Sequence, residues 1–302
     1  MRQFVVLAEE LHFGRAAERL NMAQPPLSQA IKRLEASLGV DLFNRTQRSV
    51  ELTTAGSVFL IEARRTLRQS EVARKMAQNA AIEIREVRIS FIGPALYQVL
   101  PDILVRFRAA VPEIHARLFE VTTPQQIDGI LLGDYHVGFI THGIDHSGCE
   151  SLLVERSGFV AAVPGNSPLA GRTSISLVEL AEQPFILPPP KFAEQSETMN
   201  LFKNVGVVPR VEQEASQTNT TLSLVSAGLG CSLVMATAAL QTIRNVRFLA
   251  IEDIPSSARW EMAMAWQPQH LSDPARRFLE FAEGHLKDNP QLLDTEAYRR
   301  WL

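Results

Sequence analysis

Residues 13–35, FGRAAERLNMAQPPLSQAIKRLE, set the fold of the amino-terminal part of the chain. They read as two short helices joined by a tight turn. Ala16, Ala17 and Leu20 share one face of the first helix, and small alanines there let a second helix approach closely. Asn21 tolerates the left-handed conformation that ends a helix. Pro25 and Pro26 suit the first turn of the next helix, where a missing N–H costs little. Leu27, Ile31 and Leu34 then recur at helical spacing as a buried stripe. At about 100° per residue, Pro25, Gln29 and Lys32 point the other way, flanked by Ser28 and Arg33, with Gln24 at the helix start. That face carries amide, hydroxyl and cationic groups with little bulk, and amides and cations can pair with base edges in a major groove. Taken alone, the stretch also fits an ordinary helical hairpin with a solvated face.

The residues that follow favour DNA. Gly39 ends the second helix, and Leu42–Arg45 and Ser49–Leu52 read as two short strands around a Thr46-Gln47 turn with Arg45 and Arg48 at its tip. A basic hairpin beside a helix-turn-helix is a wing, placed to reach phosphates or a minor groove. Thr53 or Thr54 can cap a new helix before Ala55-Gly56. In order and spacing, FGRAAERL, QPPLSQAIKRLE, LGVDLFNRT and LTTAG resemble the amino-terminal domain of LysR-type transcriptional regulators. Two departures stand out. Relatives carry several residues before the segment matching Arg2-Gln3-Phe4, so either the first helix is short or the true start lies upstream of Met1. A basic residue is also common in the family where Gln29 stands; Gln29 can read a base but adds no charge attraction.

Net charge is −3, which does not advertise nucleic-acid binding. Its distribution says more. Residues 1–86 carry 13 lysines and arginines against 10 acidic residues, and the remainder carries 17 against 23. The halves differ in sign, as expected if only the first touches DNA. No apolar run is long enough to span a bilayer, and the start lacks the charged-then-apolar pattern of a secretory signal, which points to the cytoplasm. The cysteines Cys149 and Cys231 stand in no basic or motif-like setting and read as inert thiols rather than a redox pair.

Residues 55–86 read as one long helix, with Val58, Ile61, Leu67 and Val72 among charged residues and alanines. The resemblance makes it a linker helix that pairs across a two-fold axis; without it, a rigid solvated spacer fits as well. From Val87 strands and helices alternate: VRISFIG, a helix to about Ala110, HARLFEV, a helix capped by Thr123 with Pro124 in its first turn, then HVGFI. After VAAVPGNSPLAG come FILP, a helix over Ser196–Val205, PRVEQEA, a helix over Thr218–Ala227, CSLVM, VRFLAI, WEMAMAW and a helix over Asp273–Lys287. Such alternation predicts α/β domains with mainly parallel sheets. Two α/β subdomains follow, with crossovers near Val160–Pro164 and Ala263–Gln267. This resembles the family's regulatory domain, which has the type 2 architecture of periplasmic solute-binding proteins. The expected multidomain α/β organisation is therefore a winged helix-turn-helix over 1–54, a linker helix over 55–86 and a regulatory domain over 87–302. Within the last, subdomain I takes about 87–160 and 267–302, and subdomain II about 161–266; the tail ending YRRWL is less familiar.

In open α/β sheets ligands bind at the carboxyl ends of strands, often against helix N-termini, and between two subdomains the cleft is the default site. Gly93, Pro94 and Ala95 after the first strand, Thr123 at a helix start, Thr141 and His142 after the third strand, and Gln217–Asn219 from the second subdomain are expected to converge there, with the loop Pro188–Gln195 nearby. The effector-contacting set is thus Gly93, Pro94, Ala95, Thr123, Thr141 and Asn219. Relatives that respond to aromatic acids place a hydroxyl where Pro94 stands and an arginine near Thr141. This chain has neither, although Arg156 is an available cation, so a neutral or weakly polar effector fits at least as well as a small aromatic acid.

Three rival classes fit the sequence less well. An enzyme lacks support, since no Gly-x-Ser-x-Gly elbow, Walker loop or HExxH motif occurs. A metal-responsive protein would draw on His136, His142, His146 and Cys149, but the intervening glycines read as an exposed loop rather than a closed four-ligand site. A plain solute-binding protein would need no helix-turn-helix. The sequence thus points to a regulator without metal or cofactor, with partners of double-stranded operator DNA, a small organic effector, and itself as a homodimer or homotetramer.

Overall fold

The computed structural model describes residues 1–45, 49–80, 85–189, 197–255 and 258–293. The chain divides into two compact units, Met1–Glu83 and Ile84–Leu302.

The first unit holds α1 (Arg2–Glu10), α2 (Phe13–Arg19), α3 (Gln24–Leu38), β1 (Phe43–Arg45), β2 (Val50–Leu52) and α4 (Thr54–Ala80). Its core gathers Phe4, Leu7, Ala16, Ala17, Leu27, Ile31, Leu42 and Phe43. The Phe4 ring meets Phe43 and Phe59 at 5.3 and 5.0 Å. Asn21 takes φ 52° between α2 and α3, and Gly39 takes φ 72° as the left-handed cap of α3. β1 and β2 pair antiparallel. The Thr53 hydroxyl accepts from Gly56 N–H at 2.9 Å and so caps α4. A Cβ on Gly56 would stand 2.1 Å from the Leu42 carbonyl oxygen, so only glycine lets α4 begin against that carbonyl. The wing tip, residues 46–48 with Arg48, and residues 81–84 of the expected linker helix lie outside the described residues, and Glu86, expected as the helix's last residue, instead opens the first strand of the second unit.

The second unit begins with β3 (Glu86–Phe91), a 3-10 turn over Gly93–Leu96, α5 (Val99–Ala110), β4 (His115–Glu120), α6 (Thr123–Leu131) and β5 (Val137–Thr141). Next come β6 (Glu150–Ser157), β7 (Phe159–Pro164), β8 (Ser174–Ile175), α7 (Leu177–Ala181), β9 (Pro184–Leu187), α8 (Glu197–Asn204), β10 (Arg210–Glu214) and α9 (Thr218–Ser226). β11 (Ser232–Met235), β12 (Val246–Ile251), β13 (Trp260–Trp266) and α10 (Asp273–Asp288) complete it. One lobe is built on a sheet of order β4-β3-β5-β13-β6 and the other on β11-β7-β12-β8, with the β9–β10 pair joined at the Phe185–Cys231 bridge.

Three expectations are corrected. The sheets are mixed rather than mainly parallel: β3 runs parallel to β4 and β5, but β13 is antiparallel to β5 and β6, and β7 to β11 and β12. Strands that pass from one lobe to the other carry no crossover helix and are free to pair antiparallel. The crossings also fall elsewhere. The chain leaves the first lobe at Gly158, between β6 and β7, and returns between Ile251 and Trp260, so β13 belongs to the first sheet rather than to the second subdomain. Finally, α6 is capped by Thr122, not Thr123: the Thr122 side chain and Gln125 form a reciprocal capping box, and Thr123 is the first helical residue.

Beside the first crossing, on β6, Glu155 is fully buried and neither of its carboxylate oxygens has a hydrogen-bond partner among the described residues. Burial pushes its pKa from an ordinary 4.5 up to about 7. The folded chain therefore keeps a proton that the unfolded chain loses above 4.5. Stability from this group is present below that value, falls as pH rises toward about 7, and stays lost above it. Glu155→Gln removes this fall, and at about pH 8 should be more stable than the parent by roughly 1–3 kcal/mol, with little difference at about pH 4. Denaturant titrations across that range check it; superimposable pH profiles for the two proteins would show that Glu155 does not titrate in this window.

Candidate nucleic-acid interface and effector cleft

On α3 the buried stripe is Leu27, Ile31 and Glu35, and the opposite face is open. Gln24, Pro25, Gln29, Lys32 and Arg33 are exposed and Ser28 is half-buried. Leu34, expected in the stripe, is half-buried at its edge. Among the described residues, the Gln24 and Gln29 amides make no hydrogen bond, and Lys32 and Arg33 make no ion pair. A donor that is already solvated and unpaired meets a base edge or phosphate without first breaking a protein contact.

Arg45 is placed differently. The sequence puts it at the wing tip; in the structure it ends β1 and turns its guanidinium back onto the Glu35 carboxylate, with its Cζ 5.4 Å from the centroid of the Phe13 ring. Glu35, only 7% exposed, also accepts from the backbone N–H groups of Leu42 and Phe43 at 3.0 and 3.2 Å. One carboxylate thus fixes β1, and with it the wing, against the recognition helix. Sequence reading missed this role because an acidic residue at the end of an apolar stripe looks like the stripe's boundary.

The two lobes of the second unit meet at Gly93. A Cβ placed there would lie 3.4 Å from Glu120 Oε1, at the end of β4, and 3.6 Å from Asn219 Nδ2, in the first turn of α9. The Tyr97 hydroxyl donates to Asn219 Oδ1 at 2.8 Å and so links the lobes across the cleft. Burial and the Glu120 charge push the Tyr97 pKa up to about 12, which keeps the phenol a donor. Gly93 and Asn219 therefore converge as expected, and Glu120 and Tyr97 join them unannounced by any motif. Pro94 is buried in the 3-10 turn and Ala95 lies in the hydrophobic core. Thr123 is 4% exposed, and its hydroxyl accepts from the Thr141 N–H at 3.1 Å, which fixes the end of β5 to the start of α6. Part of the loop expected nearby, residues 190–196, lies outside the described residues.

Other candidates are engaged elsewhere. Arg156 donates to Glu261 at 3.0 Å. His136 accepts from the Arg88 N–H, and burial holds its pKa down at about 3. The His146 ring nitrogens meet the Ile144 carbonyl and the Ser151 hydroxyl, and no group of three His, Cys, Asp or Glu among the described residues is arranged to hold a metal ion. Burial raises both thiols to about 11, against a reactive role. No helix among the described residues is long and apolar enough to cross a membrane.

Comparison with known proteins agrees with this division. Residues 1–57 match the family model of the bacterial regulatory helix-turn-helix protein, lysR family, and residues 82–287 match the LysR substrate binding domain. The chain belongs to the LysR family. It is 34% identical to the HTH-type transcriptional regulator YnfL of Escherichia coli (strain K12), over 92% of this chain and 94% of that one. It is 35% identical to the HTH-type transcriptional regulator AlsR of Bacillus subtilis (strain 168), over 87% and 88% of the two chains. The crystal structure of full-length CbnR complexed with its target DNA is 28% identical and matches with a TM-score of 0.59, covering 94% of this chain and 97% of that one. As a LysR-family protein the chain is a transcriptional regulator, not an enzyme.

Two substitutions test the geometry of this LysR-family chain. Glu35→Ala leaves two buried N–H groups and the Arg45 guanidinium without their acceptor, and should destabilise the first unit by roughly 2–4 kcal/mol. Chemical denaturation followed through that unit's transition reads it, and a loss under about 0.5 kcal/mol would mean that the wing is held by its apolar contacts alone. Thr123→Val strips the acceptor from the Thr141 N–H and should cost roughly 1–3 kcal/mol in the second unit, whereas Thr123→Ser should restore it. Equal stabilities for the Val and Ser variants would rule out the hydroxyl as the element that fixes the cleft wall.

Proposed function

We propose that this regulator binds double-stranded operator DNA through the outward face of α3 and takes a small organic effector in the cleft at Gly93. The observation that carries the DNA half is the set of amides and cations at Gln24, Gln29, Lys32 and Arg33, unpaired among the described residues, on a helix anchored by Leu27, Ile31 and Glu35. In this reading Gln29 and Ser28 read base edges, Pro25 abuts them, and Arg33, with Arg48 of the wing, meets phosphate or the minor groove. Arg45 acts through the wing, since its guanidinium is held by Glu35. The related CbnR, crystallised with its target DNA, supports binding to double-stranded DNA.

The protein works as a pair at least, in the cytoplasm where chromosomal DNA is found. Val58 and Ile61, three residues apart on α4, are 61% and 57% exposed, an apolar edge suited to a second copy of the helix. Two copies present two recognition helices to two half-sites. An effector that favours one arrangement of the lobes shifts the pairing and with it the spacing of the recognition helices.

The test separates reading from attraction. Gln29→Ala should relax base preference at one position of each half-site, with a loss of about 1–3 kcal/mol of discrimination. Arg33→Ala should weaken all sequences about equally and flatten the salt dependence. In-vitro selection from random duplexes with the three proteins reads both effects. If Gln29→Ala selects the parental site unchanged, α3 is in a different register on the groove.

A further inference from the structure

The cleft is chemically lopsided. Glu120 and Asn219 face the space above Gly93 from opposite lobes, at 3.4 and 3.6 Å from where a Cβ would stand. The amide is oriented: with Oδ1 taken by the Tyr97 hydroxyl, Nδ2 is left as the donor toward Gly93. The Glu120 carboxylate is exposed and makes no hydrogen bond or ion pair among the described residues. None of Gly93, Pro94, Tyr97, Thr123, Thr141 and Asn219 is cationic, and Arg156 is held by Glu261. Among the described residues the site thus offers one anionic acceptor and, across from it, one neutral donor.

We propose that Glu120 determines the specificity of the cleft and that the effector is a small amine. Its ammonium meets the Glu120 carboxylate, and an oxygen acceptor two or three bonds away, a hydroxyl or carbonyl, receives the Asn219 amide. This rests on the reading that the cleft is the effector site. A carboxylate ligand would face Glu120 at close range with no cation among the described residues named above to offset the repulsion, whereas an ammonium gains a charge-assisted hydrogen bond. Gly93 supplies the room, because any side chain there would stand between the two groups. The Tyr97 link fixes the amide's orientation before the ligand arrives, so little ordering is spent on binding.

The experiment uses the full chain and matched probes: 2-aminoethanol against glycolate, and benzylamine against benzoate, at constant ionic strength. Calorimetry and thermal shift are read for the parent, Glu120→Gln, Glu120→Lys and Gly93→Val. Glu120 is exposed, so its variants should keep the parent's unfolding temperature without ligand. The expected result is that the amines bind the parent at least about tenfold more tightly than their acid partners. Glu120→Gln should remove most of that preference, Glu120→Lys should reverse it, and Gly93→Val should weaken both series. Acids that bind the parent as well as the amines do, amine affinity unchanged in Glu120→Gln, or no binding of either series at millimolar concentration would each overturn the proposal. The two levels separate cleanly. Binding that survives Gly93→Val lies outside the cleft and fails the effector-site reading itself. Binding lost in Gly93→Val but indifferent to Glu120→Gln keeps the cleft and removes Glu120.

Discussion

The second unit depends on a constraint of connectivity: the chain passes between its lobes twice, at Gly158 and between Ile251 and Trp260. Two neighbouring crossings leave the lobes hinged rather than independent. Two hydrogen bonds brace the first crossing, since Ala236 N–H donates to Gly158 O at 2.8 Å and Thr237 N–H to the Ser157 hydroxyl at 3.2 Å. Away from the hinge, the Tyr97–Asn219 hydrogen bond spans the cleft. One hydrogen bond contributes about 1 kcal/mol net, small enough for a ligand to outweigh. A ligand that favours a different arrangement of the lobes has only this weak link to outweigh. The hinge itself carries a cost, because Glu155 and the Thr237 hydroxyl are buried beside it without hydrogen-bond partners among the described residues.

Where local rules act, the sequence is a good guide. The helix-turn-helix follows from apolar spacing, Asn21, the Pro25-Pro26 pair and Gly39, each of which acts within a few residues. α9 and α10 follow from the same kinds of signal. Strand β6 was overlooked because ESLLVERS neither alternates nor forms a pure apolar run; its inner residues Val154 and Glu155 are both buried, a departure from period two at a register shift against β13. The mixed sheet direction was hidden for a different reason. Pairing of β13 with β5 and β6 joins residues more than a hundred positions apart, and nothing in either segment announces its partner.

The same distinction separates the residues of the candidate cleft. The proximity of Gly93 and Asn219 is legible because strand ends and helix starts are positional facts. Glu120 and Tyr97 were not, because their meaning lies in juxtaposition: Tyr97 and Asn219 are 122 positions apart. Thr123 was rightly placed at the head of α6 but with the wrong duty, since the cap belongs to Thr122 and the Thr123 hydroxyl holds Thr141. On α3 the reverse occurs. The outward groups make no hydrogen bond or ion pair among the described residues, and Arg45, expected beside them as a DNA contact, is tied instead by Glu35 to the scaffold that presents them.

DNA recognition by the free face of α3 is tested most directly by titrating the full-length protein against a duplex recovered by selection and against a scrambled duplex of the same composition, over a range of salt. The expected result is binding to the selected duplex about 10³-fold tighter or more, with log affinity falling linearly with log salt for both. Equal affinity for the two duplexes, or affinity indifferent to salt, would contradict recognition through this face.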